Sequence, residues 1–252
     1  MLQSVIWAAQ GTLFTFAMTT LGAALVFFLS ASPSSRFQRP LLGFAAGVMT
    51  AASVWSLLLP AIEQMETHGL LPGWVPAAGG MLLGVMFLAA LDALLPRLRR
   101  RPLEERQRQS ALLMTAITLH NVPEGMAVGL AFALAAEGES LAAAAALALG
   151  VGIQNFPEGA AIALPLRQSG CSRSRAFLGG MLSGAVEPVF GVLVVLAAAG
   201  VQMLLPWLLS FAAGAMLYVV VEELIPHAHS RGGTSAFTVG FLIMMGLDVA
   251  LG

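Results

Sequence analysis

Lysine is missing from this chain altogether, cysteine and tyrosine occur once each, and only 10% of the 252 residues are charged. An average soluble domain carries about 25% charged residues. So few charges cannot clothe a water-soluble surface of this size, which excludes a soluble globular enzyme, a nucleic-acid-binding protein and a disordered chain. The single cysteine, Cys171, excludes an internal disulfide framework and any Cys-based zinc cluster. A net charge of −1 supplies no attraction for a polyanionic partner. What abounds is apolar: 58% of the residues, with a mean hydropathy of +0.86. These figures describe an integral membrane protein, so the partner to expect first is the lipid bilayer.

A membrane helix needs roughly 20 apolar residues to cross about 30 Å of hydrocarbon. Eight stretches qualify: 5–30, 41–61, 75–95, 111–135, 141–166, 176–199, 204–226 and 236–251. The connections are short and rich in Pro, Gly, Ser and Arg, and none is long enough to hold a soluble domain. The whole of 1–252 therefore reads as one polytopic domain. Helices are expected because backbone polar groups in lipid must be satisfied within the segment.

All twelve cationic side chains are arginines, and they fall after spans one, three, five and seven, in groups of two, six, three and one. The connections after spans two, four and six carry none. By the positive-inside rule the arginine-bearing connections are cytoplasmic and both termini lie outside. A span count wrong by one would scatter the arginines over both faces. The start of the chain has no basic residue ahead of its apolar run, against a cleaved signal peptide.

The thirteen acids behave differently. Glu63, Glu66, Glu137 and Glu139 fall in outside loops, and Glu104 and Glu105 among the cytoplasmic arginines. The other seven, Asp92, Glu124, Glu158, Glu187, Glu222, Glu223 and Asp248, lie within spans or near their ends. An acid at a helix centre costs about 2.5–3.5 kcal/mol on insertion scales. Without basic partners at that depth, such acids must be protonated, hydrated or coordinating cations. For Asp92 and Asp248, at span ends, a locally hydrogen-bonded neutral acid competes on equal terms.

Spans four and five carry an internal repeat. The first copy is His120-Asn121-Val122-Pro123-Glu124-Gly125 and the second Gln154-Asn155-Phe156-Pro157-Glu158-Gly159. His120 and Glu124 are four residues apart, as are Gln154 and Glu158, so each pair projects from one helical face. Each proline lacks the N–H that would cap the carbonyl four residues back, which frees the carbonyls of Leu119 and Ile153 and is expected to bend the helix. Freed carbonyls at membrane depth are tolerated where they face a polar cavity or an ion. The glycines offer small surfaces for close backbone approach. Imidazole and carboxylates from facing helices form an N and O donor set suited to Zn²⁺, Fe²⁺ or Mn²⁺. A pair of proline kinks whose polar groups satisfy one another is the bland alternative; two motifs in register favour a site.

Other spans add candidates. Glu187-Pro188 in span six repeats the theme, with Pro188 freeing the carbonyl of Gly184. Met49 in span two offers a soft thioether, although packing alone would explain a methionine there. Glu222, Glu223, His227 and His229 cluster at the cytoplasmic end of span seven, as an exit site or as solvated interfacial residues. The six-arginine connection 96–110 anchors topology or meets anionic lipid.

In these residues the chain resembles the ZIP (Zrt-, Irt-like protein) family of divalent-metal transporters, in its bacterial short-loop branch. The resemblance rests on the eight spans, the two motifs and Ser183-Gly184-Ala185-Val186-Glu187-Pro188, and it covers essentially the whole chain. It implies an all-α membrane fold of eight helices, with helices 1–3 and 6–8 related by inverted symmetry around helices 4–5. It also implies a midplane metal site, often binuclear. His120, Glu124, Gln154 and Glu158 would be first-site ligands with Met49 close by, and Asn121, Asn155 and Glu187 would complete a second or bridging site. Two departures concern that site: many members have His where Gln154 stands, and some bacterial relatives have Asp where Asn155 stands.

The function expected is uptake of divalent transition-metal ions, zinc foremost and also cadmium, iron or manganese, across a bacterial cytoplasmic membrane. The metal would be substrate, with no cofactor. A proton-coupled carrier of another solute, using the acids as a relay, is the alternative. An intramembrane metalloenzyme would need paired histidines of the His-Glu-x-x-His kind, which the sequence lacks. A homodimer is left open.

Overall fold

The computed structural model describes residues 2–28, 35–68, 71–98, 105–138, 140–168, 170–198 and 202–251, and among them all regular structure is helical. In chain order the helices are α1 (Leu2–Ala24), α2 (Ser35–Ala52), α3 (Leu59–His68), α4 (Trp74–Leu98), α5 (Glu105–Glu137), α6 (Leu141–Gln168), α7 (Arg173–Gly184), α8 (Val186–Ala198), α9 (Leu205–Val219), α10 (Ile225–Ala228) and α11 (Arg231–Leu251). Two pairs are halves of one rod. A π turn over Ser53–Leu58 joins α2 to α3, and a second over Val220–Leu224 joins α9 to α10.

Six stretches among the described residues are long and apolar enough to cross a membrane: Leu2–Phe27, Arg39–Thr67, Trp74–Leu91, Arg173–Ala197, Leu205–Ala228 and Arg231–Ala250. They coincide with sequence spans one, two, three, six, seven and eight. The two polar-motif spans are α5 and α6, which at 1.5 Å per residue are about 50 and about 42 Å long. The protein is thus a multi-pass helical membrane protein.

Both α5 and α6 stay helical through Pro123 and Pro157, since one missing N–H removes a single rung of the ladder. A break falls at Ala185, between α7 and α8. There the Pro188 ring excludes the carbonyl of Gly184 from its usual partner, and the Ala185 N–H turns back to the Leu182 carbonyl at 3.3 Å. Between α5 and α6 and between α6 and α7 the chain turns on Gly138 and Gly170, whose φ angles of +118° and +97° suit glycine. Ser140 and Ser172 then cap the helices that follow.

Packing sorts the helices into two sets. In the first, α2 lies along α11 and α4 along α9. In the second, α1 lies along α6 and α5 against α8, with α1 also touching α5, α7 and α8. Close approach explains the pairs. A Cβ on Gly47 would strike the backbone of Phe237 and Phe241, and one on Gly84 the backbone of Phe211 and Ala215. Small residues at helix crossings are how membrane helices gain van der Waals contact where no hydrophobic force separates helix from lipid. The large exposed side chains, such as Leu82, Leu83, Met86 and Phe87 on α4, are what a lipid-facing surface requires.

Candidate metal centre

The two motif helices meet where the repeat places their polar residues. Asn121, Glu124, Gln154, Asn155 and Glu187 are fully buried, and Glu158 is 3% exposed. Six polar groups at that depth demand partners or a ligand. The glycine after each motif glutamate sets the approach. A Cβ on Gly125 would strike the backbone of Glu187 in α8, and one on Gly159 the carbonyl oxygen of Thr19 in α1. Each motif helix is therefore pressed backbone to backbone against a neighbour immediately beside its glutamate.

Partnering divides the six residues. Gln154 Nε2 donates to Glu124 Oε1 at 2.5 Å and ties α6 to α5. Asn155 Nδ2 donates to Glu187 Oε2 at 2.9 Å and ties α6 to α8. The other Glu187 oxygen, Oε1, accepts from the Thr19 hydroxyl at 3.1 Å. Left without a hydrogen-bond partner among the described residues are Asn121 Oδ1 and Nδ2, Glu124 Oε2, Gln154 Oε1, Asn155 Oδ1 and Glu158 Oε2. Five of these six atoms are oxygens with free lone pairs, and all belong to α5 and α6. No arginine of the described residues hydrogen-bonds to them, so the charge they can accept must come from elsewhere. Hard to borderline cations take such oxygen donors, and an imidazole in the set suits transition metals.

The remaining candidates are spread more widely. His120 stands on α5 one turn before Glu124, and its side chain lies outside those described, as does that of Asp92. Met49 is fully buried in the apolar core on α2, a helix that packs against α6. Among the described residues no three His, Cys, Asp or Glu side chains cluster tightly enough to hold one ion. Amide oxygens and His120 would have to share the coordination with Glu124 and Glu158. At the far end, Glu222 and Glu223 occupy the second π turn, and the His227 ring nitrogen Nδ1 lies 2.6 Å from the Glu223 carbonyl oxygen. His227 and His229 are exposed, so this cluster is a surface feature away from the buried centre.

Sequence reasoning passed over α1. Its buried face, Ser4, Ala8, Gly11, Thr12, Thr15, Thr19, Gly22 and Ala23, is small throughout, and it brings three buried hydroxyls toward the centre. The helical spacing of Thr12, Thr15 and Thr19 between two glycines was the available signal. A cavity of about 240 Å³ also lay unread, lined by Trp55, Ser56 and Glu63 with Ser140 and Asp248. In it Ser56 Oγ donates to Asp248 Oδ1 at 2.7 Å, and Asp248 Oδ2 has no partner among the described residues.

A polytopic helical protein with a buried, acid-bearing, oxygen-rich centre between two repeated helices is the architecture of a membrane transporter for cations. Residues 99–248 match the family model described as ZIP Zinc transporter. The chain is 37% identical to zinc transporter ZIP11 of Xenopus tropicalis, over 98% of each chain. It is 38% identical to zinc transporter GufA of Myxococcus xanthus, over 93% of this chain and 94% of that one. It is 39% identical to zinc transporter ZIPB of Bordetella bronchiseptica, over 98% and 82% respectively. The chain belongs to the ZIP family.

Proposed function

We infer that this protein carries zinc, and divalent transition metals like it, into the cytoplasm of a bacterial cell through the centre between α5 and α6. It is a transporter rather than an enzyme, and the metal is its substrate. The observation that carries the reading is the set of unpartnered, buried oxygens on the two motif helices. A hydrated cation arriving there exchanges water for Glu124, Gln154 and Glu158, with His120, Asn121 and Asn155 within the same two turns of helix. The cavity lined by Glu63 and Asp248 serves as an outer approach, its carboxylates raising the local cation concentration. Glu222, His227 and His229, which are exposed, and the half-buried Glu223 serve as a point of release.

We read the molecule as eight membrane helices with an inverted repeat of helices 1–3 and 6–8 around α5 and α6. Several observations support this. The α2–α11 pairing has its counterpart in α9–α4, and α1–α6 has its counterpart in α8–α5. Each of the two corresponding rods carries one π turn.

Zinc flux into proteoliposomes tests the function. Replacing both Glu124 and Glu158 by alanine should abolish zinc-dependent flux while the protein still inserts and folds. Full flux through that double variant would sink the reading. A carrier of another solute driven by protons would instead move its substrate regardless of chelators.

A further inference from the structure

We propose that Thr19 of α1 is a positioning residue of the metal centre, holding Glu187 as a brace between helices so that it stays out of the coordination sphere. The proposal rests on the metal-centre reading given above and deepens it by separating ligands from supports.

The hydrogen bonds draw the line. Every buried carboxylate or amide of α5 and α6 at the centre keeps an unpartnered oxygen, whereas both Glu187 oxygens are engaged. Oε1 takes the Thr19 hydroxyl at 3.1 Å and Oε2 takes Asn155 Nδ2 at 2.9 Å. The Asn155 NH₂ faces Glu187 Oε2, and its unpartnered Oδ1 is left for the centre. Glu187 thus joins α8 to α1 and to α6 at once, and it orients a candidate ligand.

Backbone packing fixes the brace in place. A Cβ on Gly184 would come within 2.9 Å of Thr19 Cβ and Cγ2 and 3.1 Å of Glu187 Oε1. A Cβ on Gly159 would strike the Thr19 carbonyl oxygen. Glycines on two helices therefore give the Thr19–Glu187 contact its room, and the break at Ala185 lets Glu187 turn toward α1. An aspartate in place of Asn155 would repel Glu187 unless a cation lay between them. The amide removes that need and turns the pair into a hydrogen bond. One metal per chain follows, held by α5 and α6 alone.

Two measurements on the full-length protein decide the matter. In the first, zinc alone is titrated calorimetrically into detergent-purified wild type, Glu158→Gln and Glu187→Gln. The Gln side chain at 187 can accept from Asn155 Nδ2 through its oxygen and donate its NH₂ to the Thr19 hydroxyl, which has the Thr15 carbonyl at 3.3 Å as its own acceptor, so the brace survives with Asn155 Oδ1 still left for the centre. The expected result is one zinc per chain in wild type, about the same affinity within about threefold in Glu187→Gln, and at least about a tenfold loss in Glu158→Gln, the scale on which metal-site residues act. Equal losses in the two variants would overturn the proposal, because Glu187 would then be a ligand. No zinc bound by wild type, or none lost in Glu158→Gln, would overturn the metal centre itself and the brace with it.

The second measurement is zinc uptake by Thr19→Val and Thr19→Ser. Valine keeps the shape of threonine and removes the donor, freeing Glu187 Oε1 to swing onto the metal. KM and Vmax should fall together, by about tenfold on the scale of outer partners of metal sites, and serine should restore both. A role in folding alone would lower Vmax with the amount of folded protein and leave KM unchanged, and that outcome refutes the proposal.

Discussion

Replacing Gly159 by alanine adds one methyl group at the tightest crossing beside the centre. Its Cβ would strike the Thr19 carbonyl oxygen and come within 2.8 Å of the Ala23 backbone nitrogen. Neither atom can rotate aside as a side-chain tip would, so α1 must retreat from α6. Overpacking of this kind costs about 1–3 kcal/mol. Against it stands the helix preference of alanine over glycine, about 0.5–1 kcal/mol in an interior position. Gly246 on α11 supplies the control, because a Cβ there meets nothing within 4 Å. Gly246→Ala should therefore raise stability by about the propensity difference, while Gly159→Ala lowers it. Thermal unfolding in detergent reads both, each kcal/mol being worth about 2–4 °C in a chain of this size. Because Thr19 and Glu158 flank the crossing, zinc uptake by Gly159→Ala should fall as well. Equal shifts for the two variants would refute the backbone-contact account of how the motif helix is seated.

Three further outcomes are expected. Gln154→His exchanges a weak amide donor for imidazole, so zinc should bind more tightly, by about tenfold on the scale seen for metal-site substitutions; calorimetric titration checks it. Zinc uptake should rise as the medium goes from acid to neutral, because carboxylate ligands must lose their protons to bind metal and protons compete below that point; initial rates across a pH series, with both liposome faces clamped, would show it. Asp248→Asn keeps the Ser56 hydrogen bond and removes one of the two carboxylates of the outer cavity, leaving Glu63. It should raise KM with Vmax unchanged, an effect that shrinks at high ionic strength; a matched fall in Vmax would mean the residue does more than attract cations.

Six of the spans and the burial of the motif's polar residues were readable in the sequence because each rests on a local signal. A membrane helix announces itself through a run of apolar residues, and the doubled Asn-x-Pro-Glu-Gly motif places its glutamates one turn from His120 and Gln154. What escaped was set by neighbours rather than by the segment itself. Glu187 reads as one more acid among acids, and the hydroxyl of Thr19, 168 residues away, together with the Asn155 amide distinguishes it from Glu158. The π turns left no trace in composition, since Ser53–Leu58 and Val220–Leu224 are ordinary apolar stretches but for two serines and two acids. Nor does a proline by itself say whether a helix ends: α5 and α6 run through Pro123 and Pro157, whereas the chain breaks at Ala185 ahead of Pro188.

A π turn takes up more residues than an α turn, so the side chains beyond it point in a direction an unbroken helix could not give them. In each rod the change of direction is a change of partner. Up to Ala52 the first rod lies against α11; beyond Leu58 its companion is α9. The second rod lies against α4 up to Val219, and past Leu224 it turns to α2. One continuous helix thus answers to two different surroundings at its two ends. The glycine face of α2 can stay fixed on α11 while Ser56 and Glu63 look into the outer cavity. A straight helix would have to give up one address to keep the other.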